Sequence, residues 1–471
     1  VILQLEQNRR VTLMTTETFT GEQIENLRQT AGEHLFMHAM QTSDWRDGAL
    51  KVFVKGEGVW VTDIDGNRLL DGMAGLWYKS AGYGRTEIAD AAYAQMIAID
   101  SPPAGSIVPS TIKLSGVVSE LYPDPAARLF FVTGGSEAVE TAVKMAKKYR
   151  ILTGKQGAYK IISRRGSYHG GTAMAVSLGG SPAADTMGPT MPGTYHVSNY
   201  NAYRPTYHQN PVDEAIAVAN EFETVIKHQG PDTVAAIIAE PVSAATGIHI
   251  PPPEYWHRLR EITEAYDIVL IADEVINGFG RLGTWFGTER FGIKPDVTTV
   301  AKAITSGYLP LGAAIATKKI ADTFIGDDSR TFKHLITFGG HPVSAAAALQ
   351  NLEIFKREDL VGNSDRMGTY LYEQLQKLYE HPSVGDIRGG MGLIAAVELV
   401  SDRENKTPFP ASAGLAKKIP PALYERNLIS FRAGDLISIC PPLSINKDEI
   451  DFMVSVLDEA LTEVEKDLGL S

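Results

Sequence analysis

The sequence predicts an α/β fold built on a mainly parallel sheet, and three observations predict it. Residues 268–272 (IVLIA), 297–301 (VTTVA) and 234–239 (VAAIIA) are apolar runs rich in β-branched residues and too short for typical helices. That is the pattern of strands buried on both faces. The runs recur about thirty residues apart, which suits successive strand–helix–strand units. Each is followed by a charged residue: the pair Asp273–Glu274, Lys302 and Glu240. Ligands of open parallel sheets sit beyond the carboxyl ends of the strands. These ends are therefore expected to present acids and one lysine to a single crevice.

Length and composition bound the rest. The chain has 471 residues, 44% of them hydrophobic, enough for a large core and two or more subdomains. Its 56 acidic and 44 basic residues are mixed along the chain and give −12 at pH 7, which argues against a nucleic-acid partner. The single cysteine, Cys440, excludes an internal disulfide and suits a reducing compartment; by itself it reads as a small core residue. No apolar run reaches transmembrane length and no secretory signal is visible, so the expected location is the cytoplasm, away from membranes. The chain starts on a valine within VILQLEQNRRVTL, and Met14 is the expected natural start.

Taken in order, residues 20–40 read as a helical arm. Residues 52–71 alternate apolar and polar positions around Gly56-Glu57-Gly58 and Asp65-Gly66, which is hairpin chemistry. GMAGLWYKSAGYGR (72–85) places Trp77 and Tyr78 in a glycine-rich loop, where loop packing and ligand contact are both open. A short strand at 130–133 precedes TGGSEAVETAVKMAKKYR (133–150), a helix with Glu137 and Glu140 near its start and Lys147, Lys148 and Arg150 near its end, complementing the helix dipole. Its start, Gly134-Gly135-Ser136, reads either as ordinary capping by Ser136 or as an anion site. It is not a serine-hydrolase elbow, because G-x-S-x-G fails at Ala138.

A strand at 160–163 leads into RRGSYHGGT (164–172), with Tyr168 and His169 on the following loop. Residues 179–211 are rich in Gly, Pro and Tyr, show no periodicity and read as a long ordered loop over the site or an interface. After Glu240, the small residues 243–247 leave room in a crevice. Residues 312–316 return as strand, and Asp327, Asp328 and Ser329 mark a turn. HLITFGGHPVSAAAAL (334–349) reads as a loop feeding an alanine-rich helix, and 355–378 as helical. IRGGMGLIAAVELV (387–400) and NLISFRAGDLISICPPL (427–443) read as strands, and 448–468 as a closing amphipathic helix.

Lys302 has two readings: a member of an ion pair, or an amine nucleophile for a Schiff base whose basicity burial lowers. A nearby acid adds pyridoxal phosphate to the second reading, because its pyridinium nitrogen needs an anionic partner. The triplet Gly278, Gly280, Gly283 forms G-x-G-x-x-G, but without the helix that a dinucleotide site requires directly after it.

DEVINGFGRLG (273–283), followed by KPDVTTVAKAITSGYLPLGA (294–313), resembles the signature of class III pyridoxal-phosphate-dependent aminotransferases, and the resemblance extends over residues 56–442. It implies the fold type I architecture of aspartate aminotransferase-like enzymes. The expected division is an N-terminal arm and part of a small domain at 1–75, a large cofactor-binding domain at 76–344 and a C-terminal small α+β domain at 345–471. The resemblance makes Lys302 the cofactor lysine and base, and Asp273 the partner of the ring nitrogen. It puts Gly135, Ser136, Tyr168, His169, Glu240 and Val275 around pyridoxal 5'-phosphate, with Thr337 reaching the phosphate of the neighbouring subunit. Trp77, Tyr168 and the mobile Arg432 would meet substrate. Phe431 before that arginine departs from the family pattern. No metal is expected. The implied activity is ping-pong transfer of an amino group from an amine or ω-amino acid to a keto acid, with pyruvate the expected acceptor. The implied assembly is a homodimer or a dimer of dimers. The alternative is a 4-aminobutyrate- or ornithine-type enzyme using 2-oxoglutarate, which usually carries a further arginine for the second carboxylate.

Overall fold

The computed structural model describes residues 19–38, 50–180, 188–430 and 434–470. The N-terminal helix Gly21–His34 starts at a capping box in which Thr20 accepts from Gln23 N–H, and none of its residues is buried. The arm expected to run to residue 40 stops being helical at Leu35, which is extended. Strands β1 (Phe53–Glu57), β2 (Trp60–Asp63) and β3 (Arg68–Asp71) pair antiparallel as the alternation predicted. Gly58, at φ +58°, makes the tight first turn. Asp63 closes the second by accepting from Asn67 N and Nδ2, both at 2.8 Å.

The central sheet contains β4 (Arg128–Val132), β5 (Lys160–Arg164), β6 (Thr194–Val197), β7 (Val234–Ala239), β8 (Val269–Asp273), β9 (Val297–Val300) and β10 (Gly312–Ala316). Their order is β4-β10-β9-β8-β7-β5-β6. Strands β6, β5, β7, β8 and β9 run parallel, and β10 runs antiparallel to both β9 and β4. The reversal has a simple cause. Only residues 301–311 join β9 to β10, too few for the helical crossover that a parallel return needs. Strand β6 lies inside the stretch expected to be loop; the residues TYHV lack the apolar run that marked its neighbours.

Successive strand residues point to opposite faces, and both faces are covered. Ile161, Ile238, Val269, Ile271 and Val297 pack with Val139, Val143 and Ala146 of helix Gly135–Leu152. Ile162, Ile237 and Leu270 pack with Val218, Phe222, Trp256 and Leu259 of helices Pro211–Gln229 and Pro253–Ala265. This is the three-layer arrangement that forces strands to be apolar throughout.

The C-terminal part differs from expectation at one point. The helix expected over 355–378 is broken: Pro342–Arg357 ends, and Leu360–Leu375 begins at Asp359, whose φ is +49° and whose carboxylate accepts from Gly362 N–H. Asp359 thus caps a new helix. Strands β11 (Val384–Arg388), β12 (Ala395–Leu399) and β14 (Leu436–Ile439) form a separate antiparallel sheet. The short β13 (Leu428–Ile429) joins β3 in parallel. The last helix, Lys447–Leu468, opens on a capping box of Asn446 and Glu449. Among the described residues, no helix is long and apolar enough to cross a membrane.

Candidate active site

Strands β7, β8 and β9 lie side by side in register, so their carboxyl ends converge as the sequence implied. Asp273 is the last residue of β8 and is buried. Its Oδ1 accepts from Thr299 Oγ1 of β9 at 2.9 Å and from Val275 N at 3.1 Å. Its Oδ2 lies 2.6 Å from His169 Nδ1. Two elements and a loop therefore fix the carboxylate. His169 is itself buried, and its Nε2 meets no partner among the described residues.

Lys302 follows β9 with φ +49°, a left-handed conformation that is uncommon for a non-glycine residue and frequent at functional sites. Burial pulls its ammonium down to about 8 against the opposing pull of Asp273. Its Nζ lies 5.3 Å from the centre of the Trp77 ring. Trp77 also has positive φ, +61°. A cavity of about 130 Å³ gathers Lys302, Asp273, Glu240, Tyr168, His169 and Val275, with Gly135, Ser136, Gly170 and Ile276 completing its wall. Lys302 also lines a neighbouring cavity of about 310 Å³, with Tyr78, Gly134 and Tyr308 among its walls.

The two strand-end acids that reach the cavity are Asp273 and Glu240. Glu240 is held by Arg164, whose Nη2 donates to its Oε2 at 2.7 Å and to its carbonyl at 2.8 Å. Both side chains are buried, and Glu240 Oε1 has no partner among the described residues. Glu274 faces elsewhere. Its carboxylate takes the N–H groups of Gly287 and Thr288 and the Thr288 hydroxyl, anchoring the turn Gly287–Phe291. Burial raises its pKa to about 7 despite those bonds. Residues 243–247, whose small side chains were expected to leave room in the crevice, are not among the residues that line this cavity. Ser243 and Ala244 are fully buried, and Ser243 bridges to His249.

Helix Gly135–Leu152 starts with Gly134 as its N-cap and no side-chain cap. Ser136 is therefore not the capping residue; its Oγ accepts from Gly171 N at 3.0 Å. A Cβ at Gly135 would lie 2.8 Å from Val275 Cγ1, and one at Gly170, where φ is +135°, would strike Ser136. Backbone can approach the cavity here only without side chains.

The remaining predicted residues are placed as follows. Tyr168 is 57% exposed at the mouth of the cavity. Trp77 approaches Lys302 but is not part of the 130 Å³ cavity wall. Thr337 is exposed and lines a different cavity, about 670 Å³, beside Ile107, Leu335 and Phe338. Arg432 lies outside the described residues. Cys440 is fully buried. Sequence reasoning missed Arg164 and Thr299. Arg164 carried a usable signal, being a charge at the end of a strand; Thr299 sits within a strand and carried none.

The family model "Aminotransferase class-III" matches residues 42–461. The chain belongs to the class III aminotransferases. This aminotransferase is 41% identical to a probable aminotransferase of Mycobacterium tuberculosis over 88% of this chain and 90% of the relative. It is 35% identical to the putrescine–pyruvate aminotransferase of Pseudomonas aeruginosa, covering 88% and 91%. Its structure is similar to that of an (S)-enantioselective omega-transaminase from Thermomicrobium roseum, with a TM-score of 0.91 and 39% identity over 95% of this chain and 100% of the other. The fold is that of the pyridoxal-phosphate-dependent transaminases, and the aminotransferase depends on pyridoxal phosphate.

Proposed function

We propose that the cavity at Lys302 is the transamination site, taking amino groups from an amine or ω-amino acid and passing them to pyruvate. The observation that carries this is an amine of lowered basicity facing a fixed carboxylate–imidazole pair in one cavity. The residues fit pyridoxal phosphate. Gly135 and Ser136 open an 18-residue helix whose first N–H groups offer a phosphate site, at a point where a Cβ would clash.

When bound, pyridoxal phosphate supplies an aldehyde that captures amines and a ring that draws electrons from the reacting carbon. Lys302 would hold it covalently through Nζ. Asp273 would keep its ring nitrogen protonated, with His169 and Thr299 fixing the carboxylate. Val275 and Tyr168 would pack against the ring, and Glu240 Oε1 offers a charged acceptor. Lys302 Nζ, neutral above about pH 8, would take a proton from the donor's amino-bearing carbon and deliver it to the cofactor's aldehyde carbon within the same half-reaction, and would carry a proton the opposite way in the other half-reaction. Trp77 and Tyr168 would bound the donor, and Arg432 would take the acceptor's carboxylate.

Pyruvate is favoured over 2-oxoglutarate on a specific ground. Among the described residues, neither cavity lined by Lys302 includes an arginine, and a second carboxylate needs a buried cation. A panel of amines with each acceptor tests this. Faster turnover with pyruvate is expected; faster turnover with 2-oxoglutarate would move the enzyme to the 4-aminobutyrate or ornithine type.

The working unit in this reading is a cytoplasmic homodimer with domains at 1–75, 76–344 and 345–471. Its support is the apolar exposure around Thr337, where Leu335 is 78% and Phe338 65% exposed. Thr337 would reach the phosphate of the partner's site.

A further inference from the structure

We propose that a second cavity, between the loop after β6 and strand β11, binds a small carboxylate carrying a flat apolar body. The cavity measures about 300 Å³ and shares no lining residue with the Lys302 cavities. Three tyrosines, Tyr200, Tyr203 and Tyr372, contribute to its wall. Flat rings of this kind suit a planar apolar ligand body.

The charges around it do not cancel. Arg388 Nη1 donates to Asp386 Oδ2 at 2.6 Å and Glu398 Oε2 at 2.7 Å, while its Nε donates to Gly247 O at 2.6 Å. Arg204 pairs with the other oxygen of Glu398. Lys406 Nζ donates to Tyr203 O at 2.8 Å and lies 4.9 Å from the centre of that ring, with no carboxylate partner among the described residues. Three cations thus share two carboxylates, leaving one positive charge. His249, also in the wall, adds no further charge: burial and then Arg388 lower its pKa to about 3, so it stays neutral.

Two donors of the lining residues, Arg388 Nη2 and Tyr203 Oη, are buried without a partner among the described residues. His249 Nδ1 is also unpartnered, but with Nε2 donating to Thr246 O at 3.1 Å it is an acceptor and makes no claim on a carboxylate. Unmet buried polar groups are uncommon, and each calls for a reason. A carboxylate supplies what the site lacks, one negative charge and two acceptor oxygens, and Arg and Lys donors bind such oxygens strongly. The ligand would join β11 to the segment that leads out of Glu240.

The probe is 4-fluorobenzoate, followed by fluorine NMR on the holoenzyme. Saturable binding is expected, unaffected by excess pyruvate and retained in Lys302→Ala. It should weaken about tenfold or more in Lys406→Ala, which removes the unpaired cation. It should vanish in Ala202→Trp, which fills the cavity from an exposed wall position. Melting curves matching the parent establish that both variants are folded. Absence of saturable binding, binding that survives Ala202→Trp, or binding displaced by pyruvate would each overturn the proposal. None of these outcomes bears on transamination at Lys302, which is read separately by turnover.

Discussion

At the scale of single residues, the site is a set of charges held in awkward places for a reason. Lys302 combines positive φ with a depressed pKa. Replacing it with alanine should leave the melting temperature close to the parent and lower turnover by at least about 10²-fold, the usual range for a lost proton-transfer group. Parent-like multiple turnover would remove Lys302 from the mechanism. Its titration gives a second prediction. The amine is charged below about 8 and neutral above it, and only the neutral form attacks a carbonyl. The rate at which apoprotein takes up pyridoxal phosphate should therefore rise through pH about 8, well below the ordinary lysine range. Asp273→Asn should still bind cofactor but slow the single-turnover reaction about 10²- to 10³-fold, since an amide cannot hold the ring nitrogen protonated. An unchanged rate at full occupancy would contradict that role. Much of this was legible beforehand, because a charge ending a β-branched run is a strong signal. Which way Glu274 points was not: consecutive strand-end residues alternate in direction, and only the turn at 287–291 decides which one turns inward.

At the scale of elements, the site depends on a helix start placed against a strand end. Gly135 lies where a Cβ would come within 2.8 Å of Val275 Cγ1. Gly135→Ala should weaken pyridoxal-phosphate retention by about tenfold, the equivalent of about 1.4 kcal/mol of overpacking. Val275→Ala in the same chain should restore much of it by making room. Equilibrium dialysis of cofactor from the parent, Gly135→Ala and the double variant checks this; no recovery in the double variant would place the fault in the backbone instead. The strands that carry the site were readable because burial on both faces leaves an unmistakable apolar run. Strand β6 was not, since its residues are only half-buried along most of their length. The break at Asp359 was also hidden: its cap works through a left-handed backbone that apolar periodicity does not register.

At the scale of the whole molecule, the reading requires two chains, because Thr337 does not line the Lys302 cavity of its own chain. Thr337→Val should weaken cofactor binding at the partner's site. A mixed dimer of Lys302→Ala and Thr337→Val chains would then contain one site with both lesions and one with neither. Mixing the two variants should restore a fraction of sites with parent affinity and turnover, and failure to do so would place Thr337 outside the active site. Only the family resemblance pointed to Thr337; composition and periodicity carry no signal for a proposed contact between copies. The most direct measurement is borohydride reduction of the holoenzyme followed by peptide mass mapping, which turns a lysine-bound cofactor into a stable secondary amine. The account predicts one pyridoxyl-phosphate adduct, on the peptide containing Lys302; an adduct on another lysine, or none on a protein saturated with pyridoxal phosphate, would contradict it.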